Sequence, residues 1–538
     1  MKRQTVLFGL VVLIAATFLG AAASRTLSPA DPGAGTPSLS EYAELITAAG
    51  NWGAENTGPD KLVYASIRGM LSRLDPHTSF LDPEEFSSME ERQRGSYYGL
   101  GISIQRRQGR VTVISPIEGT PAWKKGLRAG DVITHINGEP IDDWNSNKVV
   151  GHLKGPKGTE VTITIRRAGI PEPIVMTIVR AEIPSNSVRY AFLLDQDTGY
   201  IHLAEFTHTS AREVASAIEN LEKKGMKRLL FDLRGNPGGV LDPALDIADI
   251  FLGAHEKIVY TRGRTSSSDH DYFTPGNGPH FSGPLVLLVN RGSASASEIV
   301  SGAIQDHDRG LIVGTTTWGK GLVQSVYPLP YGAGLALTTA KYFTPSGRWI
   351  QRDYSNYFDY INPDEDSSSE AGEEKSGKVF YTDAGRPVYA AGGITPDEIV
   401  KPAKLSKFVQ RLQAHGVFFN FAVEYLARHG AVSPDFEVTD DLRGHFFDFI
   451  QQQGIEASAA ARRDYESDPG RSLIDATIVT EVLNSKFGLE SGWRYALKAD
   501  VQVQKALKLF PEAERISRLP KKPGREDDSR TTRSAASF

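Results

Sequence analysis

Residues 210–233 read SAREVASAIENLEKKGMKRLLFDL, a helix pattern that runs directly into a strand pattern. Ser210 and Glu213 have capping-box spacing, Val214, Ala217, Ile218 and Leu221 fall on one helical face, and Gly225 supplies the stop. Arg228 to Leu233 follows as a strand, so the apolar stripe of the helix is expected to pack on a sheet. Strand patterns recur at Leu285–Asn290, Leu311–Thr315, Leu322–Tyr327 and Leu335–Tyr342, with a helix between the first two. This alternation, from about Ile183 onward, predicts a multidomain α/β protein with a layered core.

The flanking sequence differs in kind. Between Tyr98 and Arg180 lie short β-branched alternations broken by glycine, such as Val111–Ile114 and Val161–Ile165, which predict a compact, mostly β module. Beyond Pro402 the pattern turns helical, with Phe408, Leu412, Phe418, Phe421, Ala422 and Tyr425 at apolar positions. The stretch 363–378 is acidic, serine-rich and poor in apolar residues, and is expected to be a surface loop. The expected divisions are a leader at 1–24, a linker at 25–39, a helical region at 40–95, the β module at 96–182 and the α/β core at 183–402. A helical C-terminal domain at 403–520, suited to assembly, and a charged tail at 521–538 complete the chain.

The leader carries Lys2 and Arg3, an apolar run from Val6 to Leu19, and then Ala21, Ala22, Ala23 and Ser24. That is the pattern of an export signal. The run from Thr5 to Ala23 also approaches the length of a membrane span, so the segment reads as either a cleaved signal or a retained anchor. The 538 residues contain no cysteine, which excludes disulfides, thiolate nucleophiles and cysteine-based zinc sites. A net charge of −5 with scattered basic residues argues against a nucleic-acid partner. The twelve histidines form no metal-ligand spacing, so no metal and no cofactor are expected.

Two segments bear residues suited to acyl transfer. Asn290–Ile299 places Ser293, Ser295 and Ser297 between a strand and a helix. There, free backbone N–H groups and the helix dipole favour developing negative charge. The same serines also read as simple caps. Thr317–Gln324 sets Lys320 between two glycines, with Gln324 four residues on and on the same face of an extended strand. An ordinary lysine titrates near pH ~10.4, so a base working near neutrality needs about 4 kcal/mol of desolvation and neighbouring charge. Gly314–Lys320 matches a phosphate loop up to its lysine, but Gly321 stands where a Ser or Thr belongs and a strand follows, which argues against nucleotide binding. Asp232–Gly239 ends a strand in a Gly-rich turn whose amides at Gly238 or Gly239 could complete an oxyanion hole with Ala296. Asn236 and Pro237 stand where a trypsin-like enzyme has Asp and Ser, which disfavours a Ser/His/Asp mechanism. In the β module, the loop Gly99, Leu100, Gly101 and Ile102 has consecutive amides suited to a peptide's terminal carboxylate.

Taken in order, Leu74–Phe80, Gly99–Ile102, Gly126–Asp131, Asp232–Gly239, Ser293–Ile299, Gly319–Gln324, Lys341–Arg348 and Gly393–Asp397 resemble the C-terminal processing (tail-specific) peptidases. The match runs through most of residues 62–402. The resemblance implies a crotonase-like serine protease core with an inserted PDZ domain. It also implies Ser295 as nucleophile, Lys320 as base, Gln324 beside the base, and an oxyanion hole from Ala296 with Gly239 or Gly238. Substrates would be proteins or peptides with apolar C-terminal tails, held by the PDZ loop. Action would lie outside the cytoplasm, in the periplasm or anchored to the inner membrane facing it, with a homo-oligomer or an adaptor as possible partners. A catalytically silent PDZ scaffold and a His-based protease are the competing classes.

Overall fold

The computed structural model describes residues 39–53, 57–276, 280–361, 378–390, 392–430, 432–455 and 468–522. The leader, most of the linker, all but the last residue of the acidic loop and nearly all of the charged tail lie outside them. The chain divides after Arg73 into two units. The first holds two helices, Leu39–Trp52 and Pro59–Leu71. Among the described residues no helix is long and apolar enough to cross a membrane.

The second unit is built on a six-stranded sheet whose spatial order follows the sequence: β1 (Val188–Leu193), β2 (Thr198–Leu203), β3 (Arg228–Asp232), β4 (Leu285–Val289), β5 (Leu311–Gly314) and β6 (Glu398–Ile399). The first pair is antiparallel and the rest are parallel. Successive side chains of a strand point to opposite faces, so a strand covered on both faces must be apolar throughout. Leu229, Phe231, Leu285 and Leu287 face one core with α1 (Ser210–Lys223), α2 (Leu241–Phe251) and α3 (Ala296–Asp306). Leu230, Val286, Leu288 and Val313 face the other, where Leu497, Val503, Phe510 and Ile516 cover them.

That second layer comes from the far C-terminus. The helical stretch 403–520 does not form one body. Helices Lys407–Ala414, Val417–His429, Asp440–Gln452 and Asp468–Phe487 share a core around Phe421, Phe446 and Ile478, whereas the last three, Leu489–Ala496, Val501–Lys508 and Phe510–Ser517, close the six-stranded sheet. The face of α1 is as expected, with Val214, Ala217, Ile218 and Leu221 buried. The Ser210–Glu213 capping box is not formed. Glu213 instead accepts from Thr209 Oγ1 (2.6 Å), Ser187 Oγ and Val188 N (3.0 Å each), because the incoming strand β1 offers donors that the helix end would otherwise have to supply.

A second sheet joins Ser79–Leu81, Lys257–Gly263 and Leu322–Pro328 to the long strand Gly334–Phe343. The β module is held at its neck, where Ser96–Gly99 pairs antiparallel with Ala181–Pro184. Its own sheet buries Val113, Ile133, Ile163 and Ile178. The four-helix group packs against this module: Phe419 lies under the Arg107 guanidinium at 4.2 Å, and Val423 occupies the space where a Cβ on Gly130 would fall.

Candidate active site

The three serines at the start of α3 have separate fates. Ser293 is buried, receiving Asn290 N (3.0 Å) and donating to Leu233 O (2.8 Å), which ties this turn to the end of β3. Ser297 is buried and donates to Asn236 O at 2.9 Å. Only Ser295 is partly open to solvent. It sits at the helix N-cap with φ 53° and ψ −113°, a combination that costs a non-glycine residue about 1–3 kcal/mol and persists only where surrounding bonds enforce it.

Those bonds come from Glu298, one turn into α3 and fully buried. Its Oε2 accepts Ser295 N at 2.8 Å and Lys320 N at 2.9 Å, while Oε1 accepts Gly319 N at 2.7 Å and Thr317 Oγ1 at 2.5 Å. One carboxylate therefore joins the serine turn to the lysine loop. Burial pushes its pKa up to about 7, and the four donated bonds restrain that rise. The Tyr342 hydroxyl makes a second tie, donating to Lys320 O and lying 3.3 Å from Ser295 O. Neither Glu298 nor Tyr342 was singled out from the sequence. Glu298 was detectable, since Ser-x-x-Glu opening a helix is a capping-box pattern.

Lys320 is half-buried, and its Nζ donates to Gln324 Oε1 at 2.8 Å. Gln324 in turn donates from Nε2 to His77 O at 2.6 Å. Burial lowers the Lys320 pKa, against the opposing charges of Glu298 and Asp75. His77 is neutral: burial and the neighbouring Lys320 take its pKa to about 4, and Nε2 pairs with the Tyr360 hydroxyl at 2.6 Å.

The Gly-rich turn lies against the serine turn, and a Cβ on Gly238 would come within 2.9 Å of both Ala296 N and Ser295 Cβ. The Gly238 amide is already taken by Asn236 Oδ1 at 2.9 Å. Gly239 is exposed, with φ 149°, and its amide has no acceptor among the described residues, so of the two glycines it has the free donor. Among the described residues no histidine hydrogen-bonds Ser295, and His77 reaches the site through its carbonyl, which accepts from Gln324. Among the described residues Glu256, His307 and Asp383 do come together, but Lys521 reaches Glu256 and Asp383, so their charge is met within the protein.

In the β module, Leu100 O accepts Ala122 N (3.0 Å), and Gly101 O accepts Ile117 N (2.9 Å) and Thr120 Oγ1 (3.1 Å). In a trans peptide the N–H opposes the C=O, so the amides of Gly101 and Ile102 point away from those bonds. The strand they open, Ile102–Arg107, pairs only with Arg110–Pro116 among the described strands and leaves one edge for an added strand.

The family model for Peptidase family S41 matches residues 197–367, and that for the PDZ domain matches residues 112–167. The carboxy-terminal-processing protease of Bartonella bacilliformis is 42% identical over 301 residues, 55% of this chain and 69% of its own. The carboxyl-terminal-processing protease of Synechocystis sp. is 39% identical over 297 residues, 54% of this chain and 68% of its own. A solved photosystem II D1 C-terminal processing protease aligns over 67% of this chain and 92% of its own, at 27% identity and a TM-score of 0.34. The chain belongs to peptidase family S41, the carboxy-terminal processing proteases, and is a serine-type peptidase carrying a PDZ domain.

Proposed function

We propose that the protein is an endopeptidase that selects extracytoplasmic proteins by their apolar C-terminal tails and cleaves them with a Ser295–Lys320 pair. The observation that carries this reading is the Lys320 amine, partly buried, lowered in pKa and held by Gln324, on a loop that Glu298 fastens to the Ser295 turn. Neutral Lys320 takes the Ser295 proton, the Ser295 oxygen attacks a backbone carbonyl, and the amides of Ala296 and Gly239 receive the oxyanion. Lys320 returns the proton to the leaving amine, and water hydrolyses the acyl-enzyme in a second, equivalent step. Gly99, Leu100, Gly101 and Ile102 receive the tail carboxylate, and the tail extends along the open edge of Ile102–Arg107.

Export rests on the residue pattern of 1–24, with attachment to the membrane if that segment is retained. Homo-oligomerisation or an adaptor would engage the helices outside the protease core. The deciding assay is cleavage of an unstructured protein with an apolar C-terminal tail by wild type, Ser295→Ala and Lys320→Ala. Loss in both variants is expected. Activity surviving in either overturns the pairing, and tail binding without any cleavage by the wild type would make the protein a scaffold.

A further inference from the structure

The segment Leu74-Asp75-Pro76-His77-Thr78 has no part in the mechanism above, yet its backbone reaches Gln324, the partner of the base. Gln324 can present either end of its amide to Lys320. A flipped amide would set an NH2 group against the Lys320 amine, donor against donor, and an unprotonated amine would turn its lone pair to that NH2 and away from Ser295. His77 O removes the ambiguity: it accepts Gln324 Nε2 at 2.6 Å, so Oε1 faces Lys320.

The His77 carbonyl is itself fixed by Asp75. Asp75 Oδ1 accepts His77 N at 2.8 Å, Thr78 N at 2.9 Å and Thr338 Oγ1 at 2.9 Å, and Oδ2 accepts Thr78 Oγ1 at 2.5 Å. Thr78 Oγ1 then receives Thr338 N at 3.1 Å. Thr338 is the residue paired with Gln324 across the second sheet, so turn and glutamine are held against the same strand. Four bonds on one aspartate are more than a surface turn needs, and one of them holds Thr78 N, which shares a rigid peptide plane with the carbonyl that faces the glutamine.

We propose that the Asp75–Thr78 turn is a positioning device for the base: Asp75 sets the His77 carbonyl, which sets the amide of Gln324, which aims Lys320 at Ser295. The proposal rests on Ser295 and Lys320 being the reacting pair. Asp75 is a positioning residue and touches no reacting atom.

The experiment measures kcat and KM separately on a tailed protein substrate, with thermal melting alongside, for Asp75→Ala, Asp75→Asn and Thr338→Val. Asp75→Ala is expected to lower kcat about tenfold or more, with KM within about twofold. Asp75→Asn keeps an acceptor for the two amides and should recover most of that loss. Should Asp75→Ala fail to fold, Thr338→Val, which removes one donor to Asp75, should still lower kcat several-fold at constant KM. Unchanged kcat, or equal losses in kcat, KM and melting temperature that asparagine does not repair, would overturn the proposal. Ser295→Ala and Lys320→Ala in the same assay separate the two levels. Activity surviving in either defeats the underlying pair, while their inactivity beside a normal Asp75→Ala defeats only the positioning role.

Discussion

The backbone amides of Ser295 and Lys320 meet on a single atom, Glu298 Oε2, at 2.8 and 2.9 Å. Glu298→Gln tests what that junction is worth. The amide keeps the size of the side chain but replaces one acceptor oxygen with an NH2 donor, which must then face two of the four donors now bound there. We expect kcat/KM to fall by about 10²-fold or more, because small displacements of a reacting pair are costly. Stability should fall by about 1–3 kcal/mol for the donors left unsatisfied. Steady-state kinetics with a denaturant melt checks both; a variant with near-normal kcat/KM would show that other ties hold the pair.

The same carboxyl gives activity and stability opposite pH dependence. Its folded pKa is raised to about 7 from an ordinary value of 4.5, so between these limits the folded protein holds a proton that the unfolded chain has released. The stability this gives is complete below the ordinary value and is lost as pH rises through about 7. Activity needs the ionised form, since only that form accepts all four bonds, and so it grows over the same interval. Wild type should therefore be less stable but more active at pH 8 than at pH 5, and Glu298→Gln should lose its share of the stability slope. An unaltered slope in the variant would assign that slope to other groups.

The elements of the core were legible because local pattern and burial agree in them. Val214, Ala217, Ile218 and Leu221 are buried on α1 as their spacing requires, and β3, β4 and β5 fall within a residue of the expected strands. The serine and lysine segments were legible for the same local reason. What connects them was not. Gln324 meets a carbonyl 247 residues earlier in the chain, and Tyr342 bridges two loops from a strand whose neighbours depend on the fold of two sheets. The split of the C-terminal helices was hidden too. Phe510 and Phe421 look alike in an apolar helical pattern, and only the exposed face of a finished sheet distinguishes where each belongs.

Gly101 provides a test of the PDZ loop. Its φ is 77°, and a Cβ there would lie 2.4 Å from the Cβ of Thr120, whose hydroxyl bonds the Gly101 carbonyl. Gly101→Ala must either strain the backbone or push Thr120 aside, either of which turns the two amides from their direction. The expected result is about a tenfold or greater rise in KM for a tailed substrate, with a smaller change in kcat. Equal KM values for wild type and variant would remove the loop from tail recognition.

The C-terminal helices reach the Gly-rich turn through Arg234. Arg234 bonds both oxygens of Asp232 and also Asp500 Oδ2 at 2.7 Å and Gln502 Oε1 at 2.9 Å. Asp232 is fully buried; burial works to raise its pKa, and the Arg234 charge and bonds hold it below the usual carboxylate range. Arg234→Met removes that compensation and leaves a buried carboxylate without its cation, at about 3–5 kcal/mol. Asp500→Ala leaves the Asp232–Arg234 pair intact and should cost only about 1–2 kcal/mol. Phe510→Ala opens the sheet face beneath and should cost about 3–5 kcal/mol. Because the turn that Arg234 begins carries Gly239, Arg234→Met should also lower kcat beyond its effect on folding, whereas Phe510→Ala should act through stability alone. Melting curves rank the three variants, and kcat at a temperature where all remain folded separates the two effects; an Asp500→Ala loss equal to that of Arg234→Met would mean that the C-terminal helices, and not the buried pair, hold the turn.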